Sequence, residues 1–237
     1  MPTEVAILAR PPDDAAAIRL ALDYPYARHP EAFWFADGRV GHPADAQAAR
    51  AGRTPVLAYG SNASPMQIAR KFAGRPCGDQ VYVEPVTLSG WDAVYAARIT
   101  RYGAIPARMV PTSGCVIAVH LTWLTDAQLD WMDCTEGAMY VRSRLGDGSV
   151  VDGSDTAVGG VQAYLEGGLP LMVDGLNAAL AAIPATGRLY PGHRTGALLQ
   201  RLACAARFEG AVEAFALRLV CQPGYKDAVL PLLRRGL

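Results

Sequence analysis

Strand-like and helix-like segments follow one another in this chain without a regular β–α–β rhythm, and this irregular order constrains the fold most. Apolar runs typical of strands include VLAY after Pro55, QVYVEPVTLSG, WDAVYAARI and GCVIAVHLTWL, and later YVRSRL and VQAYLEGG. A doubly wound parallel sheet needs a helix after nearly every strand, and several of these runs have none. We therefore predict an α+β fold, with a mixed, barrel-like curved β-sheet and surrounding helices.

Two helices carry clear start signals. Ser64 is a candidate N-cap, Pro65 suits the first helical position, and Gln67 completes a capping box. Thr125 and Gln128 form a second capping box, which predicts a helix over residues 125–134.

Other patterns predict the remaining elements. The expectations are a strand at 4–8, a helix at 13–22, a hairpin around Asp37 and Gly38, a linker at 44–54, helices at 174–183 and 195–208, a strand at 212–220 and a final helix bent or interrupted by Pro231. Pro85 is expected in an edge or bulged strand, because proline cannot donate a ladder hydrogen bond.

Composition and charge exclude several classes of protein. The 237 residues include 22 Lys and Arg and 22 Asp and Glu, so no net charge draws the chain to nucleic acid or to an anionic membrane. No run approaches the roughly 20 apolar residues of a membrane span, and the first residues do not resemble a signal peptide. We expect a cytoplasmic protein without nucleic-acid or membrane partners, and the oligomeric state stays open.

The five cysteines and four histidines do not form a metal-binding pattern. No two cysteines have Cys-x-x-Cys spacing, and their odd number argues against a closed set of disulfides. We expect reduced cysteines and no metal. A Cys134 nucleophile with His120 as its base is an alternative, although the C-terminal end of a helix does not stabilise a thiolate.

The polar turn between the strand that ends at Tyr59 and the helix that begins at Pro65 is a candidate binding loop. Gly60 tolerates positive φ and lets another molecule approach the backbone closely. Ser61 and Asn62 can hydrogen-bond to backbone or to a ligand. The loop leads toward a helix N-terminus, which favours a carboxylate or a polarised carbonyl oxygen. An ordinary strand-to-helix turn would explain the same residues.

Glu136 is a candidate general acid or base. It is expected just past the helix at 125–134, where the negative end of the helix dipole disfavours a charged carboxylate. Asp133, three residues earlier, adds like charge if both lie on one face. Partial burial beside Trp131 or Met132 would act in the same direction, and a carboxyl that exchanges its proton readily suits acid–base catalysis. The alternative is a solvated glutamate at a helix end.

Read together, the two features resemble the γ-glutamylcyclotransferase-like family. Its aromatic-Gly-Ser-Asn loop matches Tyr59 to Asn62, and its later acidic turn matches LDWMDCTEGAMY, which places Glu136 at the catalytic glutamate. The segment between them, IPARMVPTSGCVIAVHLTWLTDAQLD, is similar to the strand, turn, strand and helix that lead into that glutamate. The branch that degrades glutathione typically has a YGSL-type loop, so Asn62 points away from it.

The resemblance covers roughly Pro55 to Phe208. It implies a γ-glutamylcyclotransferase-like domain at 55–208, an N-terminal extension at 1–54 and a C-terminal extension at 209–237 packed on the same domain. It also implies that Tyr164, in VQAYLEGG, lines the pocket and that Tyr140 matches another family tyrosine. Ala63 follows the asparagine where the family usually has an apolar residue, and it is small.

The family resemblance implies a reaction. A γ-glutamyl amide would cyclise to 5-oxoproline and release an amine or amino acid, with Glu136 as base and then acid. No metal or cofactor is needed, because the nucleophile is the substrate's own amine. A non-catalytic member that binds a small metabolite or a protein is the alternative. The implied substrate-binding residues are Tyr59, Gly60, Ser61, Asn62, Ala63, Tyr140 and Tyr164.

Overall fold

The computed structural model describes residue 11 and residues 13–136 and 139–237. The expected α+β class is confirmed, since a large, curved mixed sheet carries helices against it. The strands are β1 (Phe33–Ala36), β2 (Arg39–Gly41), β3 (Thr54–Ala58), β4 (Val81–Tyr95), β5 (Ala107–Leu124), β6 (Tyr140–Arg144), β7 (Val150–Asp152), β8 (Gln162–Glu166), β9 (Met172–Val173), β10 (Leu176–Asn177), β11 (Ala179–Leu180), β12 (Ala185–Thr186) and β13 (Gly192–His193). The helices are α1 (Asp14–Leu22), α2 (Ala46–Arg50), α3 (Pro65–Phe72), α4 (Asp126–Glu136), α5 (Thr195–Ala205), α6 (Val212–Cys221) and α7 (Tyr225–Arg235).

The main path of the sheet runs β13–β11–β4–β5–β3–β8–β6. β3 lies inside it, antiparallel to β5 and parallel to β8. Both of its edges are paired and both of its faces are covered, because Leu57 belongs to one apolar cluster and Val56 and Ala58 to another. β3 is therefore nearly all buried. The loop that follows β3 therefore begins in the interior of the protein.

The long antiparallel pair of β4 and β5 supports this centre. The sequence predicts two strands at 80–90 and 91–99, whereas one strand runs through both. Gly90 adopts a φ of 81° where the register shifts between Ser89 and Trp91, so the chain passes a bulge without leaving the sheet. Pro85 lies opposite His120 of β5.

Pro85 is tolerated because of how the other edge of β4 is covered. The pairing with β1 ends at Val83, and the pairing with β7 begins at Val86. Pro85 falls between these short partners, so the prediction of an edge position holds for one side of β4 only.

Two apolar clusters hold the helices to the sheet. The larger one joins β4 and β5 to α1, α5, α6 and α7. The smaller one joins β3 to α3 through Ile68 and Phe72, and to α4 through Leu129 and Met132. Full burial of such side chains is worth roughly 1.5–3 kcal/mol each. The smaller cluster thus fixes α3 and α4 side by side.

The terminal segments pack on this sheet. β1 pairs with β4, α1 contacts α5 and α6, and α7 contacts the same two helices. The hairpin at Asp37 and Gly38 is confirmed. The linker predicted at 44–54 is wrong, because α2 and the start of β3 lie there. The strand predicted at 4–8 lies outside the described residues, and the division into extensions and a central domain stays a prediction.

Two predicted elements have the wrong type. Residues 174–183 form β10 and β11 instead of a helix, because Asp174 and Gly175 both adopt positive φ, 49° and 83°, in a two-residue turn between β9 and β10. The strand predicted at 212–220 is helix α6. Its buried Phe215, Ala216 and Leu219 have the one- and four-residue spacings of a helical stripe, and not the alternation of a strand.

Among the described residues, no helix combines the length and apolar character needed to cross a membrane.

Candidate active site

The loop after β3 is held by close packing. Gly60 has a φ of −115°, so it does not use the positive φ that the sequence allows. A Cβ on Gly60 would instead lie 2.6 Å from the Tyr24 hydroxyl, and that hydroxyl accepts a hydrogen bond from the Ala107 amide at 2.9 Å. Glycine is needed at residue 60 because a buried tyrosine from the N-terminal segment occupies the space.

After Gly60 the chain makes a short 3₁₀ turn at Ser61–Ala63 before α3 begins at Pro65. Ser64 occupies the N-cap position as predicted, but the described residues provide no side-chain cap bond there. Gln67 instead accepts a hydrogen bond from Arg70 at 2.8 Å. The start of α3 lines a second cavity through Ser64 and Met66, whereas Gln67, one residue further on, lines the cavity beside Gly60.

Helix α4 presents the candidate acid–base residue. Its capping box is confirmed, because the Thr125 amide donates to Gln128 Oε1 at 3.0 Å and the Gln128 amide donates to Thr125 Oγ1 at 3.3 Å. The helix is longer than predicted, and Glu136 lies in its last turn instead of past its end. The side chain of Glu136 is only 12% exposed, which excludes the alternative of a solvated glutamate.

Asn62 and Glu136 meet directly. Asn62 Nδ2 donates a hydrogen bond to Glu136 Oε1 at 2.9 Å. The two segments singled out in the sequence are thus brought to one place, although 74 residues separate them in the chain. The amide of Asn62 orients the carboxylate.

Lys71 is a site residue that the sequence analysis missed. Its ammonium donates to Glu136 Oε1 at 2.5 Å and to Met132 Sδ at 3.1 Å. Lys71 shares the buried stripe of α3 with Gln67, Ile68 and Phe72. A lysine within such an apolar stripe is a signal that could have been noticed, because a buried ammonium needs a partner.

Asp133 does not add charge to Glu136 as anticipated. Its carboxylate accepts two hydrogen bonds from Arg142, both at 3.0 Å, and one from the Tyr164 hydroxyl at 2.5 Å. Arg142 therefore balances the charge of Asp133, and Tyr164 holds one of its oxygens.

Tyrosine side chains form much of the wall of the cavity beside Glu136. Tyr59 donates its hydroxyl to the Tyr164 carbonyl, and the Tyr140 hydroxyl donates to the Ala107 carbonyl at 3.0 Å. Burial raises the pKa of Tyr59 and the pKa of Tyr140, and the charge of Glu136 acts in the same direction on both. These phenols stay protonated at neutral pH, so they serve as walls and donors and do not act as bases.

These groups enclose one cavity of about 140 Å³, comparable with the roughly 150 Å³ of an engineered cavity that holds benzene. The exposed Arg101 is among its lining residues, so the cavity reaches the surface. Of the predicted residues, the lining includes Tyr59, Gly60, Ser61, Asn62, Glu136, Tyr140 and Tyr164. Ala63 is fully buried in the smaller apolar cluster and is not one of the lining residues. The lining that the sequence did not predict includes Tyr24, Gln67, Lys71, Arg98, Arg101 and Tyr102.

The cysteine alternative has no geometric support. Cys134 is exposed and is not among the cavity residues. His120 is buried, and its Nε2 lies 3.0 Å from the His29 carbonyl, which can only accept, so Nε2 carries the proton. Within the part of the chain that the structure describes, no cluster of His, Cys, Asp and Glu could hold a metal ion.

Comparisons with known proteins give structural likenesses at low identity. No family model and no curated protein sequence matches the chain. A solution structure of an Arabidopsis thaliana protein is 18% identical with a TM-score of 0.40, and the match covers 73% of this chain and 94% of that one. A structure described as a gamma-glutamyl cyclotransferase is 12% identical with a TM-score of 0.42, covering 75% and 86%. An uncharacterized protein from Homo sapiens is 13% identical with a TM-score of 0.39, covering 75% and 86%. At these values the likeness does not establish a shared family.

Proposed function

We propose that this protein is an enzyme of the γ-glutamylcyclotransferase type, which cyclises a γ-glutamyl amide to 5-oxoproline and releases an amine or amino acid. The observation that carries the proposal is the hydrogen bond from Asn62 to Glu136 inside a cavity lined by the 59–62 loop and by tyrosines. A carboxylate that is shielded, oriented and open to a small cavity is what intramolecular acyl transfer requires.

Glu136 acts first as a base and then as an acid. Both hydrogen bonds that reach its carboxylate from Asn62 and Lys71 end on Oε1, so Oε2 is the oxygen assigned to proton transfer. It takes a proton from the substrate's α-ammonium, and the resulting amine attacks the γ-carbonyl carbon. Glu136 passes this proton to the amide nitrogen of the tetrahedral intermediate and takes a second proton from the ring nitrogen. The carbon–nitrogen bond of the amide then breaks, and Glu136 gives the second proton to the departing amine, which leaves as an ammonium.

The 59–62 loop and the tyrosines of the cavity wall position the substrate. The substrate must fold so that its amine and γ-carbonyl carbon approach to about 3–3.5 Å. In this proposal, backbone amides around Gly60 and Ser61 hold a substrate oxygen as charge develops on it. Tyr59, Tyr140 and Tyr164 limit the shape of the bound molecule. No group other than the protein and the substrate takes part in this scheme, and a cytoplasmic location fits the free cysteines.

The test is a turnover assay on a panel of γ-glutamyl dipeptides and γ-glutamyl amines. Mass spectrometry should detect 5-oxoproline and the free amine in equal amounts from at least one compound. Release of glutamate instead of 5-oxoproline would indicate hydrolysis and would contradict cyclisation.

A second arm separates the glutamate mechanism from a cysteine mechanism. We expect Cys134→Ser to retain turnover, because Cys134 is exposed outside the cavity. Turnover lost in Cys134→Ser and retained in Glu136→Gln would overturn the proposed role of Glu136.

A further inference from the structure

Arg98 lines the same cavity as Glu136. Its guanidinium lies over the ring of Tyr140, 4.9 Å from the centroid, and its side chain is 22% exposed. The Tyr140 phenol interacts electrostatically with both Arg98 and Glu136. The cavity thus has a fixed cation as well as a fixed carboxylate close to one tyrosine.

The positive charges of Arg98 and its neighbour Arg108 are only partly balanced by negative charge. Glu166 is buried, and its Oε1 lies 3.4 Å from Arg98 Nε while its Oε2 lies 3.6 Å from Arg108 Nη1. Arg108 also donates to the Gly168 carbonyl. One carboxylate therefore faces two guanidinium groups, and Arg108 is already engaged away from the cavity. One positive charge of this cluster remains for a ligand.

Arg98 is pre-organised to accept an anion. Its Nε faces Glu166 without a hydrogen bond to any described residue, and both this ion pair and the stacking on Tyr140 restrict its side chain. A guanidinium held in this way binds a carboxylate with two parallel hydrogen bonds and little loss of side-chain freedom.

We propose that Arg98 binds the α-carboxylate of the γ-glutamyl group. This inference rests on the proposed cyclisation and adds a specificity-determining residue to it. The α-carbon bears both the carboxylate and the ammonium, so Arg98 and Glu136 hold the two substituents of one atom. Because Arg98 binds the carboxylate of the substrate, the amides of the 59–62 loop remain available to bind the γ-carbonyl oxygen.

The test uses two ligands that differ only at this group, 5-oxoproline and its carboxamide, 5-oxoprolinamide. Calorimetric titration of the wild-type protein should give a preference of roughly 10–100-fold for the carboxylate, as expected for a charge-assisted hydrogen bond. Arg98→Gln should reduce that preference to about threefold or less. Arg98→Lys keeps the positive charge but lacks the paired N–H donors of the guanidinium, so its preference for the carboxylate should be intermediate.

Arg101→Gln tests the other arginine of the cavity lining, which is exposed. The matched control is Arg144→Gln, at an exposed arginine that is not one of the lining residues. It should keep most of the preference. Arg98→Gln remains charge-balanced in the core, since Glu166 then faces Arg108 alone, and circular dichroism should show an unchanged fold. The inference is overturned if Arg98→Gln keeps the carboxylate preference, if Arg101→Gln alone abolishes it, or if the wild-type protein prefers neither ligand or binds neither.

The binding assay does not depend on turnover. Cyclisation by a protein whose Arg98→Gln variant still prefers the carboxylate would leave the proposed function standing and remove this inference. A preference that depends on Arg98, in a protein that turns over no γ-glutamyl compound, would leave a carboxylate-binding site and remove the cyclisation.

Discussion

Lys71 Nζ lies 2.5 Å from Glu136 Oε1, and the side chains are 5% and 12% exposed. This ion pair joins the last turn of α3 to the last turn of α4, and the Trp131 indole adds a hydrogen bond to the Lys71 carbonyl at 2.7 Å. The candidate base is therefore part of the contact that holds the two helices together. Changes at either charge should affect stability as well as catalysis.

The first prediction concerns the free energy of unfolding. Lys71→Met should lower it by about 3–5 kcal/mol, because Glu136 is left partly buried without its cation. The Lys71→Met/Glu136→Gln variant should lose much less than the sum of the two single changes. Urea unfolding monitored by fluorescence measures all four proteins. Additive losses would show that the two charges are not coupled.

The second prediction tests the packing of the loop. Gly60→Ala should destabilise the fold by about 1–3 kcal/mol through overpacking against Tyr24, because the added Cβ would lie 2.6 Å from the tyrosine hydroxyl. Gly153→Ala is the matched control, since nothing lies within 4 Å of its Cβ position.

Tyr24→Phe should partly rescue Gly60→Ala. It removes the clashing oxygen but leaves the Ala107 amide without its acceptor, so alone it should cost about 1–3 kcal/mol. Thermal unfolding of both single variants and the double variant measures the coupling, and a double variant no better than the sum of its parts would contradict the close approach.

The third prediction concerns pH. Burial lowers the pKa of His120 from 6.5 to about 4. Above pH 6.5 this histidine is neutral in both the folded and the unfolded chain, so its contribution is fully present there. Between pH 6.5 and pH 4 the unfolded chain binds the proton and the folded chain does not. The free energy of unfolding therefore decreases as the pH is lowered through this range, by about 3 kcal/mol for this group.

His120→Gln removes that titration and can still donate to the His29 carbonyl. Its unfolding free energy should therefore fall less than that of the wild type between pH 7 and pH 4.5. The exposed His42 provides the control variant, His42→Gln, which should follow the wild type. Parallel pH curves for wild type and His120→Gln would refute the prediction.

The fourth prediction concerns the orientation of the base. Asn62→Ala removes a hydrogen bond to a charged group, which is worth about 1.5–3 kcal/mol. If that orientation is needed in the transition state, kcat should fall roughly 10–100-fold while the fold persists. Steady-state assays of 5-oxoproline release measure kcat and KM separately, and a wild-type kcat would show that Asn62 does not position Glu136.

Local sequence signals predicted much of the fold. The capping box at Thr125 and Gln128 located α4, and the apolar run after Pro55 located β3. The signals failed in α6, where apolar residues follow one another so closely that neither period stands out. They also failed where Asp174 and Gly175 formed a hairpin turn within an alanine-rich segment. In such segments the choice between helix and strand is made by contacts with distant parts of the chain.

The candidate site could be predicted only in part, for the same reason. The sequence drew attention to Asn62 and Glu136 as residue types in suitable places. It could not show that Lys71 lies against Glu136, that Arg98 enters the same cavity, or that Tyr24 fills the space beside Gly60, because each of these depends on the packing of α1, α3 and β4 around the loop. Asp133 shows the converse, since an arginine nine residues later neutralises the charge that was expected to act on Glu136.

The most direct test of the account is the turnover number of Glu136→Gln on a γ-glutamyl substrate that the wild-type protein cyclises. Glu209→Gln, at an exposed residue, is the matched control, and Lys71→Met/Glu136→Gln removes both charges so that a loss of activity is not a loss of fold. The account predicts that kcat falls ~10²–10⁴-fold in both variants that lack the Glu136 carboxylate and stays unchanged in Glu209→Gln. A folded Glu136→Gln protein that releases 5-oxoproline at the wild-type rate would contradict it.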